Sequence, residues 1–346
     1  MANEPAGRVV TLKDVAQVAG VHPSTASRAL DPTKSRHISD ATVDRVETAA
    51  RKLGYFPDMI AKGLRRGSTT MVGVVVADLE NPFFAPLVRG ISQALEARGF
   101  VTLVAETLED PDRFERTLNH LLSRRVNALV TTAARSGDGD LLRRFAERIP
   151  ACALAVRSIE GSDLPLVNQD DRQGGELAAG HLLDLGHRVL AQLRGPADID
   201  TFVNRAEGFR GRVAAEDAAD ATIEECATAL TLEEGRRLMA LTLDANEARP
   251  LTAVFAHADV MAIGAVEEMR ARGLRCPQDV SVIGYDDIPL VSHVQPPLST
   301  IELPGLEMGK RAGVMVLAMI DDPDSTPESV SLPARLVVRE STAPPG

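Results

Sequence analysis

The chain has no Trp, two Tyr and three Cys among its 346 residues. Aromatics this scarce leave the core to Val, Leu, Ile and Ala, which suits layered α/β structure. Cys152, Cys226 and Cys276 are odd in number and far apart. They make neither a disulfide framework nor a metal-ligand spacing, and are expected as reduced core thiols in a cytoplasmic protein. No apolar run approaches the roughly 18 to 20 residues that cross a bilayer. Met1 to Arg8 lacks the apolar stretch of a secretory signal, so neither export nor membrane insertion is expected. Catalytic signatures are missing too. There is no P-loop, no His-Glu-x-x-His, no nucleophile elbow and no Gly-x-Gly-x-x-Gly, and the seven His are scattered. Neither an enzyme nor a cofactor or metal site is expected.

The length predicts two or three domains. The net charge of -11 is unevenly spread: residues 1–67 hold 11 Lys/Arg against 7 Asp/Glu, so the acidic surplus lies beyond them. A mildly basic head on an acidic body suits phosphate contact at one end only. In that head, Leu12, Val15, Ala16 and Ala19 recur at helical spacing until Gly20 breaks the pattern. Pro23, tolerated in a first helical turn, opens a second helix to Leu30 that buries Ala26, Ala29 and Leu30 and leaves Ser24, Thr25, Ser27 and Arg28 on other faces. A third helix is expected from Ser39, as N-cap, to Leu53. Two short helices around a Gly turn, backed by a third, form the helix-turn-helix layout. Arg28 can grip guanine O6 and N7, and Ser24 can bond several base edges. On spacing alone, a small three-helix domain without DNA fits equally well.

The wording of these segments is more specific. Val10-Thr11-Leu12-Lys13-Asp14-Val15-Ala16, Ala19-Gly20-Val21, Ser24-Thr25-Ala26-Ser27-Arg28-Ala29-Leu30 and Leu53-Gly54-Tyr55-Phe56-Pro57 resemble the headpiece of the LacI/GalR family of bacterial repressors. The resemblance implies that Pro23, Ser24 and Arg28 occupy the base-reading positions, and that Thr11, Thr25 and Ser27 contact phosphates. His22 stands where a Ser N-cap is usual, which puts that helix cap in question; Ala26 and Asp31 also depart from the common residues. The headpiece is assigned to 1–56 and a hinge to 57–70. The hinge segment is too short to be a stable helix alone in water. By resemblance it is ordered by DNA and by the partner's hinge, with Leu64 as an apolar wedge in the minor groove. Without the resemblance, Leu64 reads rather as a core residue at the domain join.

From Met71 onward, β-rich runs alternate with amphipathic helices. Strands are expected at 72–76, 101–105, 128–131, 151–155, 189–193, 253–255 and 281–284. Helices are expected at 86–98, 113–123, 174–185, 204–215, 232–243, 260–272 and 306–320. This alternation predicts an α/β core of parallel sheets in two similar lobes, with a ligand cleft at the strands' carboxyl ends. Asn81-Pro82-Phe83-Phe84, the segment from His181 to Arg188, the run from Pro277 to Asp287 and Pro296-Pro297-Leu298-Ser299-Thr300-Ile301 extend the family resemblance over nearly the whole chain. It implies a periplasmic-binding-protein-like core over 71–340. Lobe 1 is placed at about 71–165 and 293–325, lobe 2 at about 166–292 and 326–340, with a tail at 341–346.

By resemblance the effector cleft uses Asn81, Phe83 and Phe84 from one lobe and Arg205, Asp259 and Asp286 from the other. The chemistry suits a polyol: a guanidinium fork and a carboxylate bind hydroxyls, and aromatic faces take ring surfaces. The alternatives are core for Phe83 and Phe84, a turn cap for Asp286 and a surface charge for Arg205. Ala258 stands where sugar-responsive members carry Asn, Leu230 replaces an aromatic wall, and Asp170-Asp171 replaces Asp-Asn. The expectation is a homodimeric repressor on a pseudo-palindromic duplex operator, controlled by a small molecule, a sugar before a nucleobase or other metabolite. A periplasmic ligand-binding protein is the distant alternative. A tail without heptads predicts no coiled-coil tetramer module.

Overall fold

The computed structural model describes residues 10–30, 38–55, 69–216 and 218–346. It divides into two units, Met1–Thr69 and Thr70–Gly346.

The first unit holds α1 (Leu12–Ala19), α2 (Pro23–Ala29) and α3 (Asp40–Leu53). Thr11 and Asp14 form a reciprocal capping box that satisfies orphan N–H groups at the start of α1. Gly20, at φ 65°, ends it, and the Val21 N–H donates back to the Ala16 carbonyl at 3.0 Å. Val15, Ala16, Ala26, Ala29, Val46, Ala49 and Ala50 make the core, and the alanines facing one another let three short helices pack closely. Ser39 precedes α3 as expected, yet its hydroxyl meets that of Thr42 at 3.0 Å and makes no bond to a backbone N–H. Residues 57–68 of the hinge, Leu64 among them, lie outside the described residues.

The second unit carries two six-stranded sheets. The first contains β1 (Met71–Val76), β2 (Val101–Glu106), β3 (Ala128–Thr131), β4 (Ala151–Ala155), β5 (Leu166–Gln169) and β11 (Val330–Leu332). The second contains β6 (Val189–Leu193), β7 (Ala219–Asp220), β8 (Ala253–Ala256), β9 (Ser281–Asp286), β10 (Ser299–Glu302) and β12 (Arg335–Val337). The orders are β11-β5-β4-β3-β1-β2 and β12-β10-β9-β8-β6-β7, all parallel except the β10–β12 pair. Each lobe thus repeats one doubly wound pattern, with a switch point between β1 and β3 in one and between β6 and β8 in the other. Central strands such as β1, β3, β4 and β9 are buried on both faces, which is why they read as continuous apolar runs.

The connecting helices are α4 (Phe84–Glu96), α5 (Pro111–Ser123), α6 (Gly139–Ala146), α7 (Asp171–Asp184), α8 (Asp200–Ala215), α9 (Leu232–Ala245), α10 (Asp259–Ala271) and α11 (Gly305–Asp321). Three pairs cross at glycine. A Cβ on Gly175 of α7 would lie 2.1 Å from the Arg205 carbonyl oxygen, and one on Gly208 of α8 would lie 2.0 Å from that of Arg172. Gly90 with Gly309 and Gly235 with Gly264 do the same for α4 on α11 and α9 on α10. Backbone contact of this kind fixes α8, and hence Arg205, against α7.

The lobe boundaries need correction. Leu166–Gln169 pairs with β4 in the first sheet and Ser299–Glu302 pairs with β9 in the second, so the chain crosses after Gln169, after Glu302 and between Leu332 and Arg335. The expected crossings near 165, 292 and 325 fell short because these strands are only three or four residues long and half polar. The tail is no free end. Ser341 exchanges hydrogen bonds with Val282 and takes the Ser299 N–H at 2.8 Å, while Ala343 bonds Ser281 and His187.

Candidate functional site

The exposed face of α2 carries Ser24 and Arg28 one turn apart, with Arg28 Nε–H donating to the Ser24 carbonyl at 3.3 Å. Thr25 and Ser27 are half-buried beside them. The question over the α2 cap resolves in favour of His22. Its Nδ1 accepts the Ser24 backbone N–H at 3.2 Å and sits 2.8 Å from the Ser24 hydroxyl. An imidazole nitrogen thus takes the place of a Ser oxygen. Because a backbone N–H donates into Nδ1, the neutral ring carries its proton on Nε2. Thr11 is already engaged in capping α1, with its hydroxyl donating to Asp14 Oδ2 at 2.7 Å.

In the second unit, polar groups gather at the carboxyl ends of the strands, around both switch points. Arg205 projects from α8 and is 3% exposed; its Nε–H donates to Asp171 Oδ1 at 2.8 Å. One Nη1–H donates to the His257 carbonyl at 2.6 Å, and the Tyr285 ring centroid lies 3.5 Å from the guanidinium carbon. Burial works against the Arg205 charge, but Asp171 outweighs it, helped by Tyr285 and Asp286, and the pKa rises. Burial pushes Asp171 above the usual carboxylate value, with Arg205 pulling the other way. Asp286 ends β9 at φ 120°. Burial, opposed by Arg205 and reinforced by Asp171, lifts its pKa to about 7. His257 accepts the Gly195 N–H on Nδ1 and donates from Nε2 to Gln192 at 3.0 Å. Burial, with Arg205 and Arg194 adding to it, holds that ring neutral.

The facing lobe contributes Glu109, Arg135 and Arg157. Arg157 grips both Glu109 oxygens, and Arg135 Nη2–H donates to Glu109 Oε2 at 3.1 Å. Burial opposes the Glu109 charge, yet the two guanidiniums outweigh it and hold its pKa below the ordinary value. The lobes meet here: Arg135 pairs with Asp198, the Ser136 hydroxyl donates to the Asp198 carbonyl at 3.0 Å, and the Ser158 N–H donates to Asp200 at 2.8 Å. Leu108, Glu109, Val156, Asp286 and Asp287 all sit at positive φ along this rim. Strain concentrated in this way marks functional loops.

The expected cleft residues divide. Arg205 and Asp286 come together as anticipated. Asp259 does not join them as a ligand group: its Oδ2 takes the Ile288 N–H at 2.9 Å and its Oδ1 the Thr300 hydroxyl at 2.6 Å, so it buttresses the β9 loop. Phe83 and Phe84 meet edge to face at 5.2 Å, both nearly buried, and Asn81 Oδ1 accepts the Phe83 N–H. The aromatics that flank Arg205 are Tyr285 and Phe202 instead. Asp171, His257 and the Glu109–Arg135–Arg157 cluster went unassigned in the sequence. Only the departure at Asp171 carried a signal.

The hinge between lobes turns on one side chain. Gln169 Nε2 donates to the Glu302 carbonyl at 2.7 Å and the Pro333 carbonyl at 3.3 Å, while its Oε1 accepts the Tyr285 hydroxyl at 2.9 Å. All three crossovers are thereby tied to the ring that stacks on Arg205.

Residues 11–58 match the model for bacterial regulatory proteins of the lacI family, and residues 179–342 match that for the periplasmic binding protein-like domain. The chain is 32% identical to the ribose operon repressor of Escherichia coli (strain K12), covering 96% of this chain and 100% of that protein. It is 31% identical to the HTH-type transcriptional repressor PurR of Mannheimia succiniciproducens, covering 96% and 98%. Among solved structures, the lac repressor dimer bound to operator and the anti-inducer ONPF superposes with a TM-score of 0.85 at 25% identity, covering 97% of this chain and 100% of that one. A LacI family transcriptional regulator from Enterococcus faecium with bound ribose gives a TM-score of 0.68 at 30% identity, covering 79% and 99%. With a helix-turn-helix unit, a two-lobed core and relatives matched from end to end, the chain belongs to the LacI family of bacterial regulatory proteins.

Proposed function

We propose that this repressor binds a pseudo-palindromic operator as a cytoplasmic homodimer, and that a small molecule seated between its lobes sets the strength of that grip. The observation that carries the reading is the exposed pair Ser24 and Arg28 on a capped α2, in a unit distinct from the core that holds Arg205 and Asp286. Pro23, Ser24 and Arg28 face base edges; Thr25 and Ser27, with Thr11 at the start of α1, lie along phosphates. Leu64 acts as the minor-groove wedge, an expectation that stands on the sequence.

In the cleft, Arg205 and Asp286 hold polar groups of the effector, and Asn81, Phe83 and Phe84 line the opposite lobe. The ribose-bound relative and the ribose operon repressor favour a sugar. A nucleobase or another metabolite is the second reading. Closing or opening the cleft shifts the hinge strands around Gln169, and operator affinity follows by linkage, typically by about 1 to 3 kcal/mol. The test selects duplexes from a random pool with the full-length protein at physiological salt. A recovered inverted repeat supports the reading, and recovery of unrelated sequences overturns it.

A further inference from the structure

Arg205 is the cation placed to grip a ligand in the cleft, and its surroundings decide what kind of ligand that is. Asp171 takes its Nε–H, the His257 carbonyl takes an Nη1–H, and Tyr285 covers one face. Arg205 and Asp171 are 3% and 5% exposed, so water screens the pair little. The facing lobe repeats the arrangement. Arg157, 4% exposed, is held by both oxygens of Glu109, and Arg135 is shared between Glu109 and Asp198. Three guanidiniums here face Asp171, Glu109, Asp198 and Asp286, with Asp138 and Asp200 beside them.

We propose that this internal cancellation makes the cleft reject anions and admit a neutral polyhydroxylated ligand, with Asp171 as the residue that sets the selectivity through Arg205. The inference rests on the cleft being the effector site. An incoming phosphate or carboxylate at Arg205 or Arg157 must displace Asp171 or Glu109, or else sit beside Asp286. The first leaves a buried charge uncompensated, and the second sets two acidic groups together. A hydroxyl requires neither: it donates to Asp286 and accepts from the N–H groups of Arg205 that Asp171 and His257 leave over. Asp171 is 5% exposed and bonds Arg205, so it acts through that guanidinium as a positioning residue. Asn at this position would keep the shape and remove the charge.

Two arms test this on the full-length protein by thermal shift and calorimetry. The first compares ribose, glucose, galactose and adenosine with their phosphate monoesters. A parent compound that binds wild type should outcompete its ester by about tenfold or more. Asp171→Asn should narrow that ratio. The second uses inorganic phosphate against an ionic-strength control, which should leave wild type unmoved and stabilise Asp171→Asn. An ester that binds wild type as tightly as its parent overturns the proposal, as does phosphate stabilising wild type. A ratio unchanged in a natively folded Asp171→Asn also overturns it. Should the variant not fold, the wild-type comparisons still decide. If no parent compound or ester binds but phosphate behaves as stated, anion rejection stands and the choice of ligand class fails.

Discussion

At the residue scale, two side chains carry separate duties. Arg28 is exposed on α2 and tethered to the Ser24 carbonyl, a geometry suited to a fixed, bidentate donor. Arg28→Ala should cost about 1 to 3 kcal/mol of operator affinity and relax preference at a single base position. Affinities for a set of single-base operator variants check this; equal loss on every sequence would mean phosphate contact only. Asp286 makes a pH prediction. Its folded pKa, about 7, lies above its ordinary 3.8, because burial favours the protonated form. The native state therefore holds an extra proton between those values, and this group's contribution to stability declines as pH rises through the window. Effector binding runs the other way, since a carboxylate accepts hydroxyl protons. Affinity for a neutral ligand should rise as pH passes through about 7. In Asp286→Asn that dependence should vanish, and calorimetry at several pH values reads it directly.

At the element scale, most helices and the central strands were legible in the sequence. The apolar runs of β1, β3 and β4 and the spacing in α5 and α9 follow from burial on two faces or one. The elements that escaped are the short ones. Leu166–Gln169, Ala219–Asp220, Ser299–Glu302, Val330–Leu332 and Arg335–Val337 span two to four residues, and Gly139–Ala146 shows its apolar face, Leu142 and Phe145, over only two turns. The site followed the same rule. Arg205 and Asp286 were reachable through family resemblance, whereas the Glu109–Arg157 pair joins positions 48 apart and has no local mark. His22 as an imidazole cap was likewise invisible to a rule built on Ser, Thr and Asp. The glycine crossings are testable here: a Cβ at Gly208 meets the Arg172 carbonyl at 2.0 Å, contact that the backbone of α7 cannot relieve by a rotamer change. Gly208→Ala should destabilise the core by about 1 to 3 kcal/mol in denaturant unfolding and weaken effector binding with it. Full stability would mean that the two helices separate freely.

At the scale of the whole molecule, the two lobes are joined twice. Gln169 ties the three crossovers at the hinge, and Arg135 with Asp198 spans the mouth of the cleft. Removing the first join should loosen the lobes: Gln169→Leu, which also takes a partner from the buried Tyr285 hydroxyl, should reduce the change in operator affinity that the effector produces by more than it reduces effector binding. Calorimetry and fluorescence anisotropy on the same preparation separate these quantities. An undiminished response would place the coupling elsewhere. Weakening the second join, with Asp198→Asn, should lower effector affinity, since the closed arrangement loses an ion pair across the gap while Ser158–Asp200 stays; calorimetry showing unchanged affinity would exclude that role.

On the proposed reading, a metabolite in the core governs the hold of α2 on DNA. Anisotropy titration of the full-length protein with its selected operator, at physiological salt and with and without a cleft ligand, measures this most directly. A preference of about a thousandfold or more over random duplex is expected, with a change in operator affinity of about 5- to 150-fold when ligand is added. Equal binding to operator and random duplex, or an operator affinity unmoved by a ligand that occupies the cleft, would contradict it.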